Sequence, residues 1–332
     1  MSDSPDLSDT LSQRQEAFGD FLSPPLFSGV VREPFIEDVI SAHLQAKPVK
    51  LSTALRDDLG FGLADFLALL RDRTWRSDDE IEFLPNGREG RSQALWASTI
   101  ADHGVLTLDR IMMLQSQKAT IYVKGLQLMA QPLREAARRL SSTGYFETHV
   151  NAFLSPAGSQ STPFHIDHHD VLAVQIDGSK TWQVEAEARV PNPHFTYAPD
   201  TNLAPSGIEA SDITLEQGDV LFLPRGTVHR AAASNESSFH LVFGLKSPVW
   251  ADVVSYALTE MAAKEHSMRG DIASTDGDAA ARLFENLGNA QALQELAVQM
   301  MKARARDQLM NQYGQVFAKD LEALLKRYKS TT

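Results

Sequence analysis

Residues 151–184 read NAFLSPAGSQSTPFHIDHHDVLAVQIDGSKTWQV, and residues 218–231 read GDVLFLPRGTVHRA. Both stretches contain short apolar or alternating runs separated by Gly, Pro, Asn and Asp, a pattern typical of strands joined by tight turns. Asp177-Gly178 stands between two of these runs and is a strong hairpin signal. Because the same pattern extends over residues 145–246, this region is predicted to form a β-sandwich or barrel.

Helical patterns flank the β region on both sides. Apolar residues recur at helical spacing within residues 34–73 and 128–140. Residues 248–332 are rich in Ala, Leu, Met, Lys and Arg and predict further helices. Residues 1–20, rich in Ser, Asp and Gln, are predicted to form a mobile tail. The layout is therefore α+β, with residues 21–247 expected to form one domain.

The composition excludes several classes of site and partner. A chain of 332 residues with 43% hydrophobic residues can bury a large core. The absence of cysteine excludes disulfides, thiolate zinc sites, iron–sulfur ligation and a cysteine nucleophile. The net charge of −12 argues against broad binding to a nucleic-acid backbone. The sequence shows neither a signal peptide nor a membrane-spanning run, so we expect a cytoplasmic protein.

A set of metal ligands is spread over two of the predicted strands. His165 and Asp167 belong to the run PFHIDHHD, and His229 follows 64 positions after His165. On a strand, residues two apart point to the same side, so His165 and Asp167 can reach one ion. With His229 they would form a triad of two imidazoles and one carboxylate, which leaves positions open for oxygen and a cosubstrate. Zinc uses similar ligands, so the triad alone does not identify the metal.

Lys180 provides an independent indication of a ligand site. It lies just after the Asp177-Gly178 turn and shares one face of its strand with Trp182 and Val184. A buried ammonium group is costly unless an anion meets it, so Lys180 is a candidate anchor for a carboxylate. The alternative is that the side chain extends along the hairpin end to reach water.

The quoted stretches resemble the JmjC-type ribosomal oxygenases and their bacterial cupin-like relatives. The resemblance implies a double-stranded β-helix, the jelly-roll or cupin fold, in which His165, Asp167 and His229 hold Fe(II). It also implies that Lys180, fifteen positions after the first ligand, binds the far carboxylate of 2-oxoglutarate. Asn151 matches a family asparagine near the site, and Trp182 is assigned to the same cosubstrate pocket.

Two departures from the family bear on this resemblance. Phe153 stands where several relatives have a tyrosine that contacts the cosubstrate, so one hydroxyl partner is missing. Relatives usually have a winged-helix domain after the dimerisation helices, whereas about 85 residues follow the β region here. The second departure weakens the expectation of a ribosomal substrate more than the expectation of the chemistry.

The function that the sequence predicts is hydroxylation of a protein or peptide side chain, such as Arg or His, with Fe(II), 2-oxoglutarate and O2. Two alternatives stay open: the substrate is a precursor peptide or a small metabolite, or the protein is a metal-dependent cupin enzyme that does not use 2-oxoglutarate. Apolar residues at helical spacing, together with the resemblance, predict a homodimer through the C-terminal helices. These residues are Val249, Val253, Val254, Ala257 and Leu258, followed by Leu293, Leu296, Ala297, Met300 and Met301.

Overall fold

The computed structural model describes residues 33–51, 59–76, 79–87, 104–142, 146–194, 207–264 and 300. The chain divides into two compact units: one holds residues 24–140 and 148–246, and the other holds residues 1–23, 141–147 and 247–332. The first unit contains the β region and the elements before it. The predicted mobile tail lies outside the described residues.

In the described residues, ten strands form two sheets. The larger sheet has the order β1-β8-β5-β10-β4-β3-β2, and the smaller has the order β7-β6-β9. Two such sheets form the double-stranded β-helix that the sequence predicts. The strands are β1 Val49–Leu51, β2 Ile81–Leu84, β3 Thr120–Val123, β4 Glu147–Ser155, β5 Asp170–Asp177, β6 Lys180–Ala188, β7 Ala210–Leu215, β8 Val220–Leu223, β9 Thr227–Ala233 and β10 Ser238–Lys246.

The described helices lie before and after the main run of strands. Five α-helices are described: α1 Glu33–Gln45, α2 Leu63–Asp72, α3 Leu108–Ser116, α4 Gln131–Ser142 and α5 Trp250–Lys264. A short 3₁₀ helix, Leu126–Leu128, precedes α4. Pro132 occupies the first turn of α4, where its missing N–H group is tolerated.

The sequence pattern missed the strands before β4. The predicted helical stretch 34–73 contains β1 between its two helices. Residues 74–127, for which the sequence pattern predicts no element, contain β2 and β3. β1 has only three residues, none of them fully buried, so it lacks the alternation that identifies a strand. Trp75, which precedes β2, belongs to the core, with 1% of its surface exposed. The helices predicted beyond α5 lie outside the described residues, apart from Met300.

β6 forms the wall that carries the predicted lysine. Lys180, Trp182 and Val184 are buried, whereas Thr181 and Gln183 between them are partly exposed. The predicted alternation is therefore confirmed. β5 and β10 pair with each other in the middle of the larger sheet and are buried along nearly their whole length. For this reason their sequences read as continuous apolar runs.

Gly178 fixes the hairpin between β5 and β6. Its φ angle is +64°, and a Cβ atom at this position would lie 2.0 Å from the carbonyl oxygen of Ser237. Gln175 holds the turn, because its side-chain amide donates to the carbonyl oxygens of Asp177 at 2.8 Å and Gly178 at 3.3 Å. The turn thus requires glycine both for its backbone conformation and for space.

We expect Gly178→Ala to destabilise the protein far more than Gly87→Ala. Gly87 has the same φ angle of +64°, but a Cβ atom added there would meet no atom of the described residues within 4 Å. Gly87→Ala should lower the free energy of unfolding by only about 1–2 kcal/mol, the cost of placing an alanine in the left-handed conformation. Gly178→Ala should lower it by a further ~1–3 kcal/mol, because the backbone must also move away from Ser237. Urea unfolding followed by circular dichroism measures both, and equal losses would contradict the steric explanation.

Candidate metal centre and its cavity

A cavity of about 350 Å³ lies between the two sheets of the first unit. All seven side chains that the sequence predicts for the site line this cavity: Asn151, Phe153, His165, Asp167, Lys180, Trp182 and His229. They come from β4, β6, β9 and the segment that precedes β5. The fold therefore brings together residues that are up to 78 positions apart in the sequence.

The three predicted metal ligands converge at one point of the cavity. One potential ligand atom from each of His165, Asp167 and His229 lies within 4.8 Å of the others. His165 and His229 are joined by a pair of backbone hydrogen bonds, 3.1 and 3.0 Å long, which set their side chains next to each other. His165 lies in an isolated bridge rather than in a regular strand. The predicted two-residue alternation is nevertheless retained, because Ile166 packs with Phe164 and Val228 in a separate apolar cluster.

Backbone carbonyl groups orient both imidazoles. The Nδ1 atom of His165 donates to the carbonyl oxygen of Pro163 at 2.9 Å, and that of His229 donates to Thr227 at 3.0 Å. With Nδ1 engaged, each ring keeps Nε2 as the atom available to a metal. The Nε2 atom of His229 lies 3.6 Å from Oδ2 of Asp167. Burial, and then the neighbouring His165, lower the pKa of His229 to about 4, so its imidazole is neutral at physiological pH.

Asp167 is the anionic member of the group. Burial acts to raise the pKa of its carboxyl group, but the surrounding imidazoles outweigh this effect and hold the pKa below its usual value. Asp167 is therefore ionised at neutral pH. The contributing imidazoles, in decreasing order of effect, are those of His169, His165, His229 and His149.

A backbone hydrogen bond joins the turn before His229 to the segment that contains Asp167. The amide of Gly226 donates to the carbonyl oxygen of Asp167 at 2.9 Å, and a Cβ atom on Gly226 would lie 1.9 Å from the carbonyl oxygen of Val190. The backbone N–H of Arg225 donates to Asp170 at 2.8 Å. The side chain of Arg225 also donates to the side-chain oxygen of Asn192 at 3.1 Å.

Asp170, which the sequence analysis did not select, links this turn to helix α1. It is 2% exposed, and besides the Arg225 amide it accepts a 2.6 Å hydrogen bond from Nδ1 of His43. A buried carboxylate with two donors is well satisfied. The metal motif is thus anchored at its C-terminal end to two other parts of the chain.

Lys180 is buried inside the cavity and does not reach water. It is 5% exposed, and its ammonium group donates to the hydroxyl of Ser155 at 2.9 Å. Among the described residues, no carboxylate lies within 4 Å of its Nζ atom. Burial lowers the pKa of Lys180 to about 7. The alternative that the side chain extends to solvent is therefore wrong, and an anion bound beside Lys180 would relieve the cost of its burial.

Ser155 belongs to a group of hydroxyls that the sequence analysis missed. Thr120 donates to Ser155 at 3.1 Å and also shares a short hydrogen bond with Ser161. All three residues line the cavity. Nothing in the sequence marked them, because serine and threonine are common on exposed strands and these three lie on separate segments.

Asn151 and Phe153 form part of the wall opposite Lys180. The Asn151 amide is engaged with protein groups: Oδ1 accepts from the amide of Gly125 at 3.2 Å, and Nδ2 donates to the hydroxyl of Tyr122 at 3.1 Å. Phe153 stacks on Tyr122 with a centroid distance of 4.3 Å. Asn151 therefore positions the wall through these contacts, and Phe153 supplies an apolar surface.

Along β6, Trp182 lies between Lys180 and Val184, and Val184 pairs with His229. The Trp182 ring stacks on His229 with a centroid distance of 5.9 Å and lies edge-on to His240 with a centroid distance of 5.6 Å.

His149 and His169 form a second aromatic contact. Their rings are in T-shaped contact with centroids 4.8 Å apart, and His169 also lines the cavity. A Cβ atom on Gly244 would lie 2.1 Å from the His149 ring, so glycine leaves the space that this ring occupies.

Part of the chain is similar to a known domain family. Residues 127–253 match the JmjC domain family, and this range includes every predicted site residue. The chain is also 30% identical over 138 residues to the bifunctional lysine-specific demethylase and histidyl-hydroxylase NO66 of Culex quinquefasciatus, covering 38% of this chain and 20% of that protein.

Two further proteins are similar to parts of the chain. Ribosomal oxygenase 2 of Rattus norvegicus is 30% identical over 105 residues, which cover 31% of this chain and 22% of that protein. The solved structure of YcfD, a ribosomal oxygenase from Escherichia coli, in complex with cobalt and 2-oxoglutarate has a TM-score of 0.47 and 17% identity, over 81% of this chain and 71% of that one. The chain spans about a fifth of the length of the curated relatives it matches.

We expect the protein to bind one Co(II) ion per chain at the triad. His165→Ala should weaken binding by more than the roughly 10–100-fold typical of losing a group outside the coordination shell, because it removes a ligand. His194→Ala is the matched control, since His194 is a described histidine that does not line the cavity. Titration followed by the visible absorption of Co(II) compares the three proteins. Equal affinity in His165→Ala and wild type would exclude this centre.

Proposed function

We propose that this protein is a 2-oxoglutarate-dependent oxygenase that hydroxylates a side chain of a protein or peptide. In this proposal Fe(II) is held by His165, Asp167 and His229. The observation that carries it is that one cavity contains both the triad and the buried Lys180, with no acidic partner for Lys180 among the described residues. A triad of this type leaves positions open for oxygen and a chelating cosubstrate. A buried lysine suits the far carboxylate of a dicarboxylate.

The donor set fits Fe(II). Two Nε2 atoms and one carboxylate oxygen lie close together, and both imidazoles are oriented from behind by carbonyl groups. Zinc accepts the same ligands. The similarity to proteins named as oxygenases favours iron, because a triad of two histidines and one carboxylate with open positions is typical of non-haem Fe(II) oxygenases.

When bound, Fe(II) and 2-oxoglutarate supply the oxidation: with O2, a C–H bond becomes C–OH while 2-oxoglutarate is converted to succinate and CO2. The protein positions the cosubstrate and shields the reacting atoms from water. Lys180, with Ser155 beside it, would hold the far carboxylate, and the uncharged walls formed by Trp182 and Phe153 would exclude water from the reacting end. The ionised Asp167 and the neutral imidazole of His229 can bind the metal without first losing a proton.

We expect Asp167→Ala to abolish succinate release and Lys180→Ala to raise the KM for 2-oxoglutarate. The loss of a charged hydrogen-bonding group should raise this KM by about 10–100-fold. His194→Ala serves as the control with unchanged kinetics. Succinate is measured with Fe(II) and 2-oxoglutarate, with and without basic peptides. Full activity in both Asp167→Ala and Lys180→Ala would refute the assignment.

Binding of 2-oxoglutarate should take up a proton above pH 7. Burial lowers the pKa of Lys180 to about 7 in the free protein, and a bound carboxylate would raise it again. Affinity should therefore be constant below pH 7 and fall by up to about tenfold per pH unit above it. The neighbouring His240, whose pKa burial lowers well below its usual value, stays neutral over this range.

Calorimetry in two buffers of different ionisation enthalpy measures this uptake. Lys180→Met, which retains an unbranched chain but cannot be protonated, should bind weakly and without a pH dependence in the same range. A wild-type affinity that stays constant from pH 7 to pH 9 would contradict the expected role of Lys180.

The proposed substrate is a basic side chain, Arg or His, on an extended polypeptide. The names of the relatives include a histidyl-hydroxylase and ribosomal oxygenases. The net charge of −12 favours the approach of a basic partner at low salt. Hydroxylation of a precursor peptide, of a small metabolite, or of an N-methyl group uses the same chemistry. Mass spectrometry of cellular polypeptides with and without the enzyme distinguishes these substrates.

The homodimer stays a prediction. In helix α5, Val253 and Ala257 are buried within the single chain, whereas Trp250 is 62% exposed. The second predicted stripe lies outside the described residues apart from Met300. Among the described helices, none combines the length and apolar character needed to cross a bilayer.

A further inference from the structure

His240 is a buried polar residue in the part of the cavity near Lys180. It lies in β10, is 3% exposed and lines the cavity. Within the described parts of the chain, its Nδ1 atom has no hydrogen-bond partner. Because buried polar atoms are nearly always paired, an unpaired nitrogen on a cavity wall indicates that a ligand supplies the partner.

The contacts of His240 locate it near Lys180. Its ring lies parallel to Phe153, with centroids 5.0 Å apart, and the Nζ atom of Lys180 lies 5.9 Å from the same Phe153 ring. The Trp182 ring contacts both His240 and His229. The imidazole therefore faces the part of the cavity that a cosubstrate would occupy farthest from the metal.

We propose that His240 donates a hydrogen bond to the far carboxylate of 2-oxoglutarate and so contributes to selecting a dicarboxylate. This inference rests on the proposed function. A carboxylate has about four acceptor sites, and Lys180 fills only some of them. Phe153 on the adjacent wall cannot donate. A neutral imidazole supplies a second donor without burying a second positive charge, which would repel Lys180.

The test compares two ligands and three variants. The ligands are 2-oxoglutarate and 2-oxobutanoate, which shares the metal-chelating 2-oxo acid group but lacks the far carboxylate. His240→Phe keeps a flat ring against Phe153 and removes the donor. His240→Asn and His240→Leu have similar shapes, and only Asn can donate. Affinities are measured by calorimetry on Co(II)-loaded full-length protein.

We expect His240→Phe and His240→Leu to bind 2-oxoglutarate about tenfold or more weakly, the usual effect of losing a hydrogen bond to a charged group. Their affinity for 2-oxobutanoate and for Co(II) should equal that of wild type. His240→Asn should recover part of the lost affinity. If His240→Phe fails to bind Co(II), the Asn and Leu variants decide the question.

The outcomes separate this inference from the proposed function. A wild-type protein that binds both ligands equally well would contradict the proposed use of 2-oxoglutarate. A wild type that prefers 2-oxoglutarate, with variants that keep the full preference, would overturn the role of His240 alone. Equal weakening of both ligands would also overturn it, because the residue would then act through packing.

Discussion

The pair of backbone hydrogen bonds between His165 and His229 is the contact on which the candidate site depends. It joins the segment before β5 to β9, one strand of the smaller sheet. Because the pairing is made by the main chain, the two imidazoles are brought side by side whether or not a metal is bound. Asp167 then follows two residues after His165, on the same side of the chain.

The same cavity contains a second constraint, the burial of Lys180. An ammonium group with one hydroxyl partner is unfavourable in a folded core, and its lowered pKa expresses that cost. Ser155 and the neighbouring hydroxyls of the larger sheet reduce this cost, because they place polar groups beside the ammonium group. Along β6, Trp182 lies between Lys180 and Val184, the residue that pairs with His229, so the triad and Lys180 occupy different parts of the cavity.

The sequence predicted which candidate ligands meet in the cavity better than it predicted the complete cavity wall. His165, Asp167, His229 and Lys180 occur in runs whose spacing and alternation survive in the fold. Ser155, Thr120 and His240 gave no such signal, because their role comes from strands that meet only through β-sheet pairing. The strands β1 to β3 were missed for a related reason. They are short, and their partners lie far away in the chain, so no local period marks them.

Asp170 limits how short a fragment of this protein can be and still keep the candidate site intact. Its carboxylate connects the residue after the metal motif to the turn before His229 and to His43 of helix α1. The strands around the cavity alone would leave this buried acid without its helical donor. The first helix therefore supports the candidate metal centre despite its distance in sequence, and any minimal fragment designed from this chain has to include it.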